Sequence, residues 1–260
     1  MAIQSASKKL VNLVKLRSVP ILQQLLIEER LLRTNQSNWC IINDGTDPAA
    51  IVMGISGEPH NLLHLDKVMH DNMQVIKRFS GGGTVIVDQN TIFVTFICCG
   101  DAIQGLSLFP RPIMQWTEKY YSQVFKETPH FRLLEHDYVF GELKFGGNAQ
   151  SIVKDRWLHH TSFLWDFCNL RMSYLKMPKR APSYRAGRAH SDFVCKLQEQ
   201  FPSREVFLNS VEMALSQWFD VKETSLAEAA CQGDQTYKGT TRLFSHEELA
   251  ACLKLGENES

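Results

Sequence analysis

The chain has 260 residues, of which 44% are hydrophobic and 22% are charged, values that are ordinary for a globular protein. Its 28 basic and 28 acidic residues balance, and no basic run exceeds two residues, so the electrostatic signature of a nucleic-acid-binding protein is absent. No apolar run approaches the roughly 18 residues that a membrane span requires, so no membrane partner is expected.

The first half of the sequence predicts short strands around one amphipathic helix. Residues 1–9 are small and polar, which predicts a flexible N-terminus. Pro20 and the apolar spacing of ILQQLLIEERLLR predict a helix. Alternating apolar residues predict strands at 10–16, 39–43, 50–53 and 74–79, with a helix at 66–73, and a hairpin formed by 84–87 and 92–97.

The second half predicts two more helices with strands between them. Aromatic and aliphatic residues at helical spacing indicate helices at 111–126 and 203–219. Residues 177–190 are basic and contain two prolines, which predicts a mobile surface loop. Short strands are expected at 136–140, 143–145, 149–153 and 157–167. Without a repeat or a linker, the pattern predicts an α+β fold with a mixed β-sheet packed by helices.

The segment Lys77-Arg-Phe-Ser-Gly-Gly-Gly83 is the first candidate site. Three glycines in a row lose backbone entropy on folding and add no side-chain packing, so the bare backbone must serve a purpose. Close approach to an anionic ligand such as phosphate is one purpose, and a plain glycine-rich turn is the alternative. Neither the P-loop pattern nor the GxGxxG pattern is present, so a lysine for phosphate must come from elsewhere.

Lys144 is the candidate for that lysine, because it precedes a second glycine pair in GELKFGGNAQ. A strand lysine that points into a cleft can hold a carboxylate and a phosphate together, and the alternative is a solvated lysine. Of the adjacent His159 and His160, at most one can face such a cleft if they lie on a strand. His60 and His64 lack the glutamate of HExxH and a third ligand, so no metal site is predicted.

Four segments stand in a recognisable order and spacing: RFSGGGTV, then DYV, KFGGNAQ and the double histidine. Together they resemble the lipoate–protein ligase A family of the biotin/lipoate ligase superfamily, over about residues 10–197. The resemblance implies the catalytic fold related to class II synthetases and biotin ligases. It also implies a two-step reaction, in which lipoate and ATP with Mg²⁺ give lipoyl-AMP and the lipoyl group then passes to a lysine of a lipoyl domain.

The resemblance also assigns roles to residues of this sequence. Arg78 is expected on the phosphate, and Lys144 is expected to bridge the lipoyl carboxyl group and the α-phosphate as the catalytic residue. Residues 177–190 match the loop that folds over the adenylate. The residues that the resemblance places around the nucleotide and the acyl chain are Arg78, Ser80, Gly81, Gly82, Gly83, Thr84, Val85, Ile86, Asp137, Lys144, Gly147 and His160.

Several positions depart from the family pattern. Lys77 stands in place of an arginine, Val87 and His136 in place of a histidine and an asparagine, and Thr161 in place of a glycine. Residues 10–260 are expected to form the catalytic domain without a full C-terminal accessory domain, so a separate accessory subunit is a possible partner. The expected acceptors are lipoyl-domain proteins, namely the E2 subunits of 2-oxoacid dehydrogenases and the H protein of glycine cleavage.

Three other functions fit the same resemblance: a lipoyltransferase that uses preformed lipoyl-AMP, an octanoyltransferase, and a non-catalytic binding protein. The octanoyltransferase branch carries a cysteine where this sequence reads TPHFRLL, which argues against it. The seven cysteines include no CxxC pair and no secretory segment follows the N-terminus, which favours a reducing compartment. The cytoplasm is expected, with a mitochondrion or plastid as the alternative.

Overall fold

The computed structural model describes residues 7–178 and 181–258. Residues 1–6 of the expected flexible N-terminus and residues 179–180 of the basic loop therefore lie outside the described residues. The architecture is α+β with mixed strand pairing, as predicted, but its strands form two sheets. The strands are β1 (Lys9–Arg17), β2 (Trp39–Asp44), β3 (Ala50–Met53), β4 (Gln74–Lys77), β5 (Val85–Val87), β6 (Thr91–Cys99), β7 (Phe131–Leu134), β8 (Asp137–Phe140), β9 (Leu143–Val153), β10 (Arg156–Leu164), β11 (Phe219–Glu223) and β12 (Arg242–Leu243).

Helices cover the faces of both sheets. They are α1 (Ile21–Thr34), α2 (Pro59–Leu62), α3 (Leu65–His70), α4 (Pro110–Val124), α5 (Asn169–Met172), α6 (His190–Phe193), α7 (Arg204–Trp218), α8 (Leu226–Ala230) and α9 (His246–Asn258), with 3-10 turns at Ser183–Arg185 and Leu197–Glu199. The long helices α1, α4 and α7 confirm the sequence prediction, as do the strands β1 and β2 on either side of α1. Strand β7 after α4 and strand β11 after α7 were not predicted. No helix in the described ranges is long and apolar enough to cross a membrane.

The large sheet has the order β11-β1-β2-β6-β10-β9-β8-β7. Strand β1 pairs in parallel with β2 and β11, and the remaining neighbours are antiparallel. Its central strands β2, β6 and β10 are buried on both faces, which explains the mainly apolar sequences of β2 and β6. Strand β10 instead buries polar side chains, among them His159 and His160, which have hydrogen-bond partners. The small sheet has the order β12-β4-β3-β5.

The molecule is layered around these sheets. An aromatic-rich core joins α4 and α7 to one face of the large sheet. On the other face, α1 and the small sheet share a second core with β2, β6 and β10. A third core covers the far side of the small sheet and includes α3 and α9. The space between the two sheets, beside α1, is where the candidate site lies.

The predicted hairpin of residues 84–87 and 92–97 is wrong. Strand β5 pairs with β3 in the small sheet, whereas β6 pairs with β2 and β10 in the large sheet. The turn between them is closed by Asp88, whose side chain accepts a hydrogen bond from the amide of Asn90 at 2.8 Å. Both backbone edges of β6 are occupied, by β2 and by β10, so no edge is left for β5 and the chain changes sheets at this turn.

The predicted break between residues 145 and 149 is also wrong. Residues Leu143–Val153 form one strand, because β8 and β10 pair with it on its two edges. The glycine pair is accommodated by a β-bulge: Tyr138 lies opposite Gly146, and Val139 lies opposite Lys144. A side chain at Gly146 would come within 3.2 Å of the rings of Phe163 and Tyr138, so the strand passes close to the aromatic core there.

Candidate active site

A cavity of about 700 Å³ opens between the two sheets. Its wall includes apolar side chains from α1, the strands and α4, such as Ile21, Leu25, Val52, Ile86, Phe93 and Met114. All but one of the residues that the sequence predicted for the site also line it: Arg78, Gly81, Gly82, Gly83, Thr84, Val85, Ile86, Asp137, Lys144, Gly147 and His160. The exception is Ser80, which is fully buried and contacts His160.

The charged residues in the wall of this cavity are predominantly positive. Among the described residues that line it, the four cations outnumber the two carboxylates: Arg78, Lys144, Lys176 and Arg185 against Glu135 and Asp137. Both carboxylates already accept hydrogen bonds from the protein. A cavity with apolar walls and an excess of positive charge is suited to a ligand that joins an apolar group to an anion.

The glycine loop, residues 80–83, packs against Gly54, which follows strand β3. The amide of Ile55 donates to the carbonyl of Ser80 at 3.0 Å, so the chain after β3 runs beside the loop. A Cβ atom at Gly54 would lie 2.2 Å from the carbonyl oxygen of Gly82, which leaves no room for any side chain. On the cavity side, a Cβ at Gly81 or Gly83 would meet nothing within 4 Å. The loop therefore presents bare backbone to open space.

Arg78 supports this loop from within the protein. Its Nε donates to Ser80 Oγ at 3.0 Å, and its Nη2 donates to the carbonyls of Gly81 at 2.8 Å and Gly83 at 2.9 Å. Burial lowers the pKa of its guanidinium to about 10. In this structure Arg78 therefore shapes the loop, and its contact with a phosphate stays a prediction.

The bulge in β9 turns Lys144 and Gly147 toward the same face. The Lys144 Nζ atom lies 3.5 Å from where a Cβ of Gly147 would be, although residues three apart on a regular strand point to opposite faces. The ammonium group lies 2.7 Å from Oδ1 of Asp137, which comes from the neighbouring strand β8. The phenol of Tyr184 donates to the other oxygen of Asp137 at 2.8 Å.

His160 joins the cavity to a buried polar network. Its Nε2 lies 3.2 Å from Ser80 Oγ, and its Nδ1 lies 3.2 Å from Oε2 of Glu28 on α1. The other oxygen of Glu28 accepts from Gln24 and from Thr95, both at 2.7 Å. His159 points away from the cavity and pairs with Gln150 at 3.0 Å, so the prediction that one histidine at most faces the site is consistent with the structure.

Glu28 was not among the residues predicted for the site. Its burial could have been predicted from helical periodicity, because Glu28 lies on the same face of α1 as Ile21 and Leu25. A carboxylate on the buried face of an amphipathic helix needs partners.

The basic loop after α5 closes one side of the cavity. The carboxylate of Glu135 accepts hydrogen bonds from both the amide and the hydroxyl of Ser183, the amide at 2.8 Å. The Ser183 hydroxyl lowers the pKa of that carboxyl group. Arg185, which follows in the same 3-10 turn, is buried and lines the cavity. Glu135 and Tyr184 were not predicted, because each has a role only once the loop is in place.

Comparison with known proteins defines the class to which this fold and cavity belong. Residues 20–220 match the lipoyl protein ligase A/B catalytic domain, and the chain therefore belongs to that family. The resemblance to lipoate–protein ligase A seen in the sequence is thereby confirmed.

One curated relative is the inactive lipoate–protein ligase 2 of Plasmodium falciparum, 25% identical over 196 residues. The match covers 63% of this chain and 50% of that protein, so the chain spans about half the length of this relative.

Solved structures of lipoate ligases share the fold. A bipartite lipoate protein ligase from Thermoplasma acidophilum, described with its E2 lipoyl domain, matches with a TM-score of 0.69 at 17% identity, over 97% of this chain and 93% of that chain. A lipoate–protein ligase A bound with ATP matches with a TM-score of 0.68 at 16% identity, over 97% and 95%. Plasmodium falciparum LipL1 in complex with lipoate matches with a TM-score of 0.67 at 15% identity, over 85% and 67%.

Proposed function

We propose that this protein is a lipoate–protein ligase. In the first step the carboxylate of lipoate attacks the α-phosphorus of ATP and pyrophosphate leaves. In the second step the amine of an acceptor lysine attacks the acyl carbonyl of lipoyl-AMP and AMP leaves. The observation that carries the proposal is the position of Lys144, which lines the same largely apolar cavity as the exposed backbone of the glycine loop.

Lys144 supplies the charge that the first step needs. A carboxylate and a phosphate repel each other by about 4 kcal/mol at 4 Å when the effective dielectric constant is about 20. An ammonium group between them offsets that repulsion and stabilises the transition state. Asp137 holds Lys144 at 2.7 Å and orients it until the substrate anions compete for it. The bulge in β9 is what gives the lysine this direction.

The apolar wall and the glycine loop suit the two ends of the proposed intermediate. Aliphatic side chains such as Ile21, Leu25 and Val52 fit the hydrocarbon chain and dithiolane of lipoate. At the loop, the Thr84 hydroxyl is buried without a hydrogen-bond partner among the described residues, and Gly81 and Gly83 leave open space. These groups fit a nucleotide phosphate. Mg²⁺ would accompany ATP and be held chiefly by its phosphates.

A lipoyltransferase that uses preformed lipoyl-AMP is the second candidate. The observation that favours it is Arg78, because its Nη2 donates to two loop carbonyls and its Nε donates to Ser80. With that guanidinium engaged, fewer cations face the triphosphate of ATP, whereas the single phosphate of lipoyl-AMP needs less positive charge.

The acceptor and the site of action follow from the proposed chemistry. We place the acceptor lysine on a lipoyl domain of a 2-oxoacid dehydrogenase E2 subunit or of the glycine cleavage H protein. The similar Thermoplasma acidophilum ligase is described as bipartite, which motivates a separate accessory subunit for this chain also. The protein would act wherever such domains occur, in the cytoplasm or in a mitochondrion or plastid.

The test is an intact-mass assay with the purified chain and an unmodified lipoyl domain. A mass gain that requires both lipoate and MgATP supports the ligase. A gain with supplied lipoyl-AMP alone supports the transferase, and a gain from octanoyl acyl carrier protein would contradict both. Replacing Lys144→Ala should lower the rate by about 100- to 1,000-fold, whereas Lys222→Ala, at an exposed position of β11, should not. A wild-type rate in the Lys144 variant would show that the assignment is wrong.

A further inference from the structure

Arg185 is a buried cation that makes no ion-pair contact among the described residues, and the charge of Asp137 only partly offsets the effect of burial on its pKa. It is 4% exposed and lines the cavity. In the described part of the chain, no carboxylate oxygen lies within the 4.0 Å of an ion pair, and its Nη2 has no hydrogen-bond partner. Burial lowers the pKa of its guanidinium. A buried charge without a partner is costly, so the fold gains nothing in stability from this group unless a partner is supplied.

Arg188 provides a direct comparison on the same loop. The two guanidinium groups lie over the ring of Phe193, with the Arg185 group 4.9 Å and the Arg188 group 5.5 Å from its centroid. The Nη2 of Arg188 donates to the carbonyls of Tyr184 at 2.8 Å and Glu142 at 3.1 Å. Arg188 therefore serves the loop itself, whereas the Nη2 of Arg185 has no acceptor among the described residues.

The position of Arg185 is fixed by its neighbours. The preceding residues are held by two carboxylates, because Ser183 donates to Glu135 and Tyr184 donates to Asp137. The Nε of Arg185 donates to the carbonyl of Arg188 at 3.0 Å, which orients the guanidinium plane. The group is thus held in the cavity wall before any ligand binds, which reduces the entropy lost on binding.

The other cations of the cavity already have partners. Lys144 pairs with Asp137 at 2.7 Å, Arg78 donates to the glycine loop, and Lys176 donates to the carbonyl of His60 at 2.8 Å. Among the described cations that line the cavity, Arg185 is the one with a buried donor atom that lacks a partner. Planar guanidinium groups match the oxygen spacing of carboxylates and phosphates.

We infer that Arg185 binds an oxyanion of the ligand as a second anion-binding residue, in addition to Lys144. This inference rests on the proposed function, whose substrates carry two oxyanions, the carboxylate of the acid and the phosphate of the nucleotide.

The test compares Arg185→Met with Arg188→Met in the full chain. Methionine keeps an unbranched apolar stem against Phe193 and removes the charge. Calorimetric titration measures the dissociation constants of two matched pairs of probes: AMP with adenosine, and lipoate with lipoamide. Each pair differs by one oxyanion, so a loss confined to AMP identifies the phosphate as the partner, and a loss confined to lipoate identifies the carboxylate.

We expect Arg185→Met to weaken at least one anionic probe tenfold or more and to change its neutral counterpart less than twofold. Arg188→Met should change the charged and the neutral member of each pair by the same factor, because Arg188 serves the loop and contacts no ligand oxyanion. Thermal unfolding without probes should show Arg185→Met to be no less stable than wild type, since an unpaired buried charge is removed.

Two results would overturn the inference about Arg185 and leave the proposed function unaffected. One is wild-type binding of every probe by Arg185→Met. The other is a lower unfolding temperature with equal weakening of charged and neutral probes, which would mark a structural role. If the wild-type chain itself binds neither lipoate nor AMP, the proposed function fails, and the inference fails with it.

Discussion

Gly54 lies outside the cavity wall, yet we expect it to control the position of the glycine loop. A Cβ atom there would lie 2.2 Å from the carbonyl oxygen of Gly82. The position of the Cβ is fixed by the backbone of residue 54 and the oxygen belongs to the backbone of Gly82, so neither atom can rotate away. Cβ atoms do not approach such atoms closer than 3.0 Å. Gly54→Ala therefore forces a displacement of roughly 1 Å, and a misplacement of that size in a catalytic group costs about 100-fold in rate.

The assay measures both the rate and the stability. We expect kcat/KM for lipoyl transfer to fall about 100-fold, and the free energy of unfolding in urea to fall by about 1–3 kcal/mol, the usual cost of overpacking. Gly100→Ala is the control, because its Cβ would lie 3.0 Å from the carbonyl oxygen of Asp155 and from the Leu108 side chain, neither of which lines the cavity. It should lower stability and leave kcat/KM unchanged.

The reasoning would be refuted by a Gly54→Ala protein that transfers lipoyl groups within threefold of the wild-type rate. It would also be refuted if Gly100→Ala lost as much activity, since the loss would then follow from general destabilisation. A crystal structure of the variant in which the loop has not moved would show that the Cβ at residue 54 does not displace the Gly82 carbonyl.

Two further outcomes follow from buried polar groups. Burial, and to a lesser extent the charge of His160, lowers the pKa of His159 to about 3, against about 6.5 when unfolded. The unfolded chain therefore binds the extra proton, so stability should be fully present above pH 6.5 and fall by about 1.4 kcal/mol per pH unit between pH 6.5 and 3. Urea titrations at several pH values should show that the unfolding free energy of His159→Gln depends less steeply on pH, whereas that of the exposed control His246→Gln depends on pH as in wild type. Equal pH slopes for His159→Gln and wild type would contradict the account. Glu28→Ala should lower the free energy of unfolding by about 3 kcal/mol, because Gln24, Thr95 and His160 lose their acceptor. Chemical denaturation beside Glu28→Gln, which keeps an acceptor oxygen, checks this, and equal stability of the two variants would count against it.

The helices were readable from the sequence because their apolar periodicity reflects the faces that they bury. Helix α1 illustrates both the success and the limit of this reasoning. Its extent was predicted, but Leu26 is 44% exposed while Glu28 is fully buried. Periodicity identifies a face, yet it does not reveal that a carboxylate on that face has a histidine and two other donors as partners from distant parts of the chain.

The sequence was less informative about which sheet each strand joins and about the direction in which a side chain points. The hairpin prediction failed because strand propensity says nothing about which edge a strand will join, and the chain between β5 and β6 crosses from one sheet to the other. The bulge that aims Lys144 into the cavity depends on pairing with Tyr138 and Val139, which no local pattern encodes. Arg185 and Arg188 are equivalent in the sequence, and only the folded loop separates their environments.

The residues after 220 determine where this protein can be truncated without loss of contacts to the segment that leads into the glycine loop. The family match ends at residue 220, inside strand β11, which is the parallel neighbour of β1. Beyond it, Glu29 accepts hydrogen bonds from the amides of Thr240 and Thr241, the Thr241 hydroxyl accepts from Phe79, and β12 pairs with β4. A truncation at the family boundary would therefore expose the edge of the strand that leads into Arg78 and the glycine loop. The segment that matches the family model is therefore shorter than the segment that packs together as one structure.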